Sequence, residues 1–196
     1  MPTLIKSPFK ILVDNKEGYP YWFENIRVRS SRVPYSAKKK IKAGDSRDFR
    51  WDIETEFVSL GNSRGDYSIE GMQDNVGIER KSKDDAYGTF LAFGDRKRRF
   101  EIELETISQF KCSAVVIECS FGELLADVSQ PGKKTREQNR AALAGQILAW
   151  QQDFKVPWIF CQSRRHAEIT TFRIMQRFHG KKVKEMKKIE KELASL

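Results

Sequence analysis

GDYSIEGMQDNVGIERKSKDD, residues 65–85, alternates as two strands of a hairpin should, yet it sets Asp66, Glu79, Lys81 and Asp85 where a bland hairpin needs no charge. Side chains two apart on a strand share a face, so Glu79 and Lys81 project together while Arg80 points the other way. Asp66 opens the preceding strand, and hairpin pairing brings its carboxylate alongside Glu79. Two carboxylates and an ammonium at a strand edge suit a hard divalent cation such as Mg²⁺, which takes a few protein oxygens and leaves the rest to water and phosphate. A lysine held there can orient the attacking water or stabilise charge growing on a phosphate oxygen. The spacing D-x12-E-x-K does not decide the matter alone, because charges alternate on many exposed strands.

The flanking sequence supplies the frame. KILVD, residues 10–14, is a short buried strand with acidic residues at its exit, and GYPYWF breaks it. RVPYSAKKKIKAGDSRDFR, residues 32–50, is basic and aperiodic, as a surface loop is. TEFVSL (55–60), DYSIEG and NVGIERK (75–81) form an expected antiparallel meander. A helical stretch opens at Asp84 and Asp85 and runs through Phe93, and GDRKRR interrupts it. RFEIELETISQF then places Phe100, Leu104, Ile107 and Phe110 at helical spacing. CSAVVIECS reads as a central strand, TREQNRAALAGQILAWQQDF as a helix, VPWIFC as a strand and SRRHAEITTFRIMQRF as a helix capped by Ser163. The expected architecture is α/β, with a mixed sheet carrying helices on both faces. Beyond Gly180, Val183, Met186, Ile189 and Leu193 draw a thin apolar stripe on a basic helix, so residues 180–196 are expected as a tail to a single domain over 1–179.

Thirty-six Lys and Arg against 27 Asp and Glu leave a net charge of +9, which favours a polyanionic partner. The longest apolar runs, ILV and AVVI, are too short to span a bilayer, and MPTLIKSPFK lacks a secretory core, so a cytoplasmic protein that is not exported is expected. Cys112, Cys119 and Cys161 form no C-x-x-C pair and sit in apolar segments as reduced core residues. No nucleophilic triad or phosphate-cradling loop emerges, and His166 and His179 lie far along the chain from the carboxylates.

The stretch resembles the signature G-D-x(n)-E-R-K-x-x-x-D of the XPF-type structure-specific endonucleases, a branch of the restriction-endonuclease-like superfamily. Gly65 and Asp66 match the G-D, Glu79, Arg80 and Lys81 the E-R-K, and Asp85 the last D. ILVDNKEGYPYWF resembles the family's first-strand motif through Val13, Asp14 and Glu17, with Lys16 where the family usually has Arg; the change loses a bidentate fork. The resemblance covers about residues 10–178 and implies a restriction-endonuclease-like sheet flanked by helices. It leaves no room for the tandem helix-hairpin-helix module of cellular members, so a stand-alone nuclease domain of prokaryotic or phage type is expected.

By that resemblance Asp66, Glu79, Lys81 and Asp14 are the candidate catalytic residues, with Asp66, Glu79 and Asp14 as ligands of Mg²⁺, for which Mn²⁺ can substitute. Arg80, Asp85 and Glu17 are supporting members: Arg80 is expected in a salt bridge or on a phosphate, Asp85 at the helix cap or paired with Arg80. Glu118 is a strand-end carboxylate that can lean toward the same edge. Lys38, Lys39, Lys40, Lys42, Arg96 to Arg99, Arg164 and Arg165 are candidate phosphate contacts. Tyr19, Tyr21, Trp22 and Phe23 either fill the core or stack on an unpaired base. The implied activity is hydrolysis of DNA at flaps, forks or junctions to a 5′-phosphate and 3′-hydroxyl, by a homodimer or with a partner protein. The alternative is a catalytically silent DNA-binding subunit of the same fold, which the intact E-R-K residues disfavour.

Overall fold

The computed structural model describes residues 2–33, 36, 48–91, 94–126 and 135–195. Lys38, Lys39, Lys40 and Lys42 lie outside them. Among the described residues a six-stranded mixed sheet runs in the order β4-β2-β5-β6-β7-β8, built from β2 (Ile11–Asp14), β4 (Thr55–Val58), β5 (Tyr67–Ile69), β6 (Val76–Lys81), β7 (Cys112–Ile117) and β8 (Trp158–Phe160). The pairs β2/β5 and β5/β6 are antiparallel, whereas β6/β7 and β7/β8 are parallel. Central β7, CSAVVI, is apolar on both faces because helices cover both.

One face of the sheet packs Val13, Tyr67, Ile78 and Val116 against Ala167, Phe172 and Met175 of α5 (Arg164–Leu193). The other packs Val115 and Ile117 against α1 (Lys83–Phe90), α2 (Asp95–Ser108) and α4 (Arg136–Phe154), through Phe90, Leu104, Ile107, Leu143, Ile147 and Trp150. The rings of Phe100 and Trp150 meet edge to face at 5.1 Å. Each such fully buried large side chain is worth about 1.5–3 kcal/mol in area removed from water. A short α3 (Phe121–Ala126) precedes α4. Capping sets the helix starts: Thr135 and Gln138 form a reciprocal capping box on α4, and Ser163 Oγ accepts from the His166 amide on α5, as expected. Cys119 and Cys161 are buried and Cys112 is half-buried.

Four expectations change. β4 is not a meander strand beside β5, because β2 lies between the two; β4 pairs with β2 in parallel at the sheet edge, after the long connection 15–54. A second, two-stranded parallel sheet joins β1 (Thr3–Lys6) to β3 (Phe49–Asp52), so the stretch read as loop to residue 50 ends in a strand whose Phe49 and Trp51 enter the core. α1 ends at Phe90, and DRKRR belongs to α2, which starts at Asp95 behind Gly94. α5 runs through Gly180 without a break. A lone helical Gly costs about 1 kcal/mol, which the surrounding Lys, Glu and Met residues tolerate. No helix among the described residues is long and apolar enough to cross a membrane.

Candidate active site

The register of β6 against β7 sets Ile78 and Arg80 beside Ala114 and Val116 on the α5 face, and Glu79 and Lys81 beside Val115 and Ile117 on the opposite face. Lys81 Nζ contacts Glu79 Oε1 and lies 4.8 Å from the centre of the Phe100 ring. Asp66 reaches the same place from the turn before β5. Its amide donates to Ile78 O at 2.9 Å, and its Oδ2 accepts from the Arg80 amide at 2.7 Å. Gly65 makes the approach possible. It has φ +81°, and a Cβ there would stand 3.0 Å from the carbonyl carbon and oxygen of Ile78.

These groups line a cleft of about 820 Å³ whose wall also includes Asp14, Glu17, Tyr19, Asp85, Arg96 and Glu103. Glu103, from α2, was not a sequence candidate. It lies three residues after Phe100 and four before Ile107, so the inward stripe of the helix carries it beside Glu79. Burial first, and then the charge of Glu79, push the Glu103 carboxyl up to about 10. The same two causes raise Asp66 well above the usual carboxylate range. Burial alone would lower the Lys81 ammonium, but Glu79, Glu103 and Asp66 outweigh it and hold the lysine charged. Raised in this way, Glu103 keeps its proton at neutral pH, and Lys81 is the cation that the cluster of three carboxyl groups faces.

Glu79 is 2% exposed, its Oε2 meets no N–H or hydroxyl donor, and the Glu103 carboxyl lies within hydrogen-bonding reach of its carboxylate. A buried carboxylate oxygen that meets no N–H or hydroxyl donor and faces further carboxyl oxygens fits a hard cation, whose charge would favour the ionised form of the carboxyls around it. Among the described residues no three His, Cys, Asp or Glu side chains close into a metal cage by themselves. A cation here would complete its shell from water or phosphate.

The supporting residues divide. Asp14 is buried at the end of β2, where Oδ1 accepts from the Lys16 amide at 2.8 Å and Oδ2 from the Leu60 amide at 3.1 Å. It pins the turn while lining the cleft. Glu17 Oε1 accepts from the Tyr19 amide and from Arg80 Nη1 at 3.2 Å, and Arg80 Nε donates to Glu118 at 2.8 Å. Arg80 is thus in the expected salt bridge, but Asp85 is not its partner. The β6 alternation turns Arg80 to the α5 face, whereas Asp85 sits in the first turn of α1, bonds to the Ser82 cap and pairs with Arg96 at 3.3 Å. Arg164 donates to Glu118 at 2.9 Å and to the carbonyls of Tyr19 and Pro20, and Arg165 pairs with Glu168. Arg164 and Arg165 are therefore both engaged within the chain. Tyr21 and Phe23 are core residues, while Tyr19 and Trp22 face solvent.

The geometry agrees with a family comparison in which the ERCC4 domain matches residues 13–172, a span holding every residue of the site. The chain belongs to the ERCC4 domain family. The ERCC4 domain is a nuclease domain, and structure-specific cutting of DNA is the activity that goes with it. Among solved structures the fold is similar to XPF from Aeropyrum pernix, with TM-score 0.51 and 13% identity over 91% of this chain and 69% of that one. It is also similar to XPF from Aeropyrum pernix in complex with DNA, with TM-score 0.50 and 15% identity over 88% of this chain and 66% of that one. The chain thus spans about two thirds of each. No curated protein sequence matches it.

Proposed function

We propose that this ERCC4 domain is a divalent-cation-dependent endonuclease that hydrolyses DNA at branches such as flaps, forks or junctions. Asp66 and Glu79 would hold the ion, Mg²⁺ or in its place Mn²⁺, with Asp14 on the cleft wall beside them. A bound ion would supply Lewis-acid polarisation of the scissile phosphate and a more acidic water. The observation that carries this reading is the buried Oε2 of Glu79, which meets no N–H or hydroxyl donor, in a cleft shared with Asp66, Glu103 and a charged Lys81.

The chain's own groups divide the remaining work. Lys81, protonated and fixed against Glu79, is placed to orient the attacking water or to stabilise charge developing on a phosphate oxygen. The Arg80 amide holds Asp66 in its rotamer, and the Arg80 side chain ties Glu17 and Glu118 together behind the site. Arg64, Arg96 and Arg99 along the cleft, with Lys16, supply the positive rim that a phosphate backbone requires.

The test is cleavage of end-labelled fork, flap and four-way-junction DNA with Mg²⁺ or Mn²⁺ by the wild-type chain, Asp66→Ala and Lys81→Ala. The reading expects ion-dependent cutting by the wild type alone; equal cutting by all three would remove the site.

A further inference from the structure

Large aromatic side chains seldom stand in water without a use when several do so together. Tyr19 is 76% exposed, Trp22 62% and Phe57 47%. The Trp22 and Phe57 rings lie 6.2 Å apart, inclined at 59°. Local structure explains why they face out. Tyr21 and Phe23 turn inward to pack on Tyr67, which leaves Trp22 between them pointing away, and Phe57 sits on edge strand β4.

The patch adjoins the cleft. Phe57 is in register with Val13, one step before the pair Asp14 and Val58, and Tyr19 belongs to the cleft wall itself. Arg164 binds the carbonyls of Tyr19 and Pro20, and Glu17 accepts from the Tyr19 amide, so the segment that presents the rings is held in place. Rings fixed beforehand bind at lower entropic cost.

We propose that Tyr19, Trp22 and Phe57 form a stacking platform for unpaired nucleobases of a DNA strand that passes out of the cleft at the β2 and β4 strand ends. The proposal rests on the nuclease reading and specifies its substrate as DNA with a single-stranded arm. Base faces stack on aromatic rings without regard to sequence, whereas a duplex hides those faces. Tyr19 lines the same cleft as Lys16, Arg64, Arg96 and Arg99, and this basic lining favours a nucleic-acid strand over a second copy of this chain as occupant.

Trp51, Trp150 and Trp158 are buried, so Trp22 is the solvent-facing tryptophan and reports stacking by fluorescence quenching. The experiment titrates the full chain, in chelator to prevent cutting, with a labelled oligothymidylate, a flap and a blunt duplex. The wild type should show quenching by the first two. Trp22→Ala and Phe57→Ala should each weaken binding of those two at least about 5-fold, leave the duplex within about 2-fold, and Trp22→Phe should retain most of the affinity. Unchanged binding by both alanine variants, or equal loss on duplex, would overturn the platform while leaving the nuclease reading in place. A wild-type dimer converted to monomer by Trp22→Ala in sedimentation would overturn it in favour of an interface between copies. Failure of the wild type to bind any of the three DNAs would overturn both readings.

Discussion

The backbone amide of Arg80 donates a 2.7 Å hydrogen bond to Asp66 Oδ2, so one signature carboxylate is held by the residue between the other two signature side chains. The signature is thus a single mechanical unit: moving β6 moves Asp66, Glu79 and Lys81 together.

Gly65 is the point at which that unit is most vulnerable. An alanine there combines a positive φ with a Cβ 3.0 Å from the Ile78 backbone, which cannot give way as a flexible side chain would. Gly65→Ala should cost about 1–3 kcal/mol in denaturant unfolding. Its cleavage rate should fall further than the stability loss explains, because the strained turn carries Asp66. A variant that unfolds and cuts like the wild type would show that the close approach is dispensable.

Lys81 is expected to matter twice. Loss of its charge from the reacting phosphate should lower the cleavage rate of Lys81→Ala roughly 10²–10³-fold. Loss of the ammonium also leaves whatever negative charge the Asp66, Glu79 and Glu103 cluster carries without its counter-charge, so the variant should melt at lower temperature in chelator and recover part of the loss with Mg²⁺. Wild-type melting in chelator would contradict this.

The carboxylate cluster predicts a pH dependence whose sign is fixed. Asp66 and Glu103 are raised in the folded chain, so the fold binds their protons more tightly than the unfolded chain does. The stability they contribute is fully present below the unfolded carboxylate value of about 4. It is lost as pH rises, up to about 10 for Glu103. The melting temperature of Glu103→Gln relative to wild type, in chelator, should therefore climb between about pH 5 and pH 9. A difference that stays flat or shrinks would contradict the burial and repulsion ascribed to Glu103.

Arg164 separates fastening from phosphate contact. Its guanidinium lies 5.0 Å from the centre of the Tyr21 ring and serves Glu118 and two carbonyls. Its side chain is 43% exposed, so Arg164→Ala should cost only about 1 kcal/mol of stability. The slope of DNA affinity against salt should stay as in the wild type, whereas a phosphate contact would reduce it by about 1.

The parts of the site carried by one strand were legible in the sequence because a strand fixes its facing every second residue: Glu79, Arg80 and Lys81 fall where alternation puts them. Asp66 followed from pairing. Glu103 escaped because it sits among Glu101 and Glu105 on a helix, and only its spacing from Phe100 and Ile107 marks it as the inward member. Arg164 escaped because a basic residue behind a helix cap looks the same whether it meets phosphate or a carbonyl 144 residues away. The parallel pairing of β4 with β2, and of β1 with β3, joins segments distant in sequence, and local periodicity carries no record of such partners.

In the proposed nuclease, Asp66 and Glu79 share one hard cation. The most direct measurement is anomalous diffraction from crystals of the chain soaked in Mn²⁺. A peak is expected within bonding reach of Asp66 and of Glu79 Oε2, absent in Asp66→Asn. No peak between these residues at saturating Mn²⁺, in crystals that diffract well enough to show one, would contradict it.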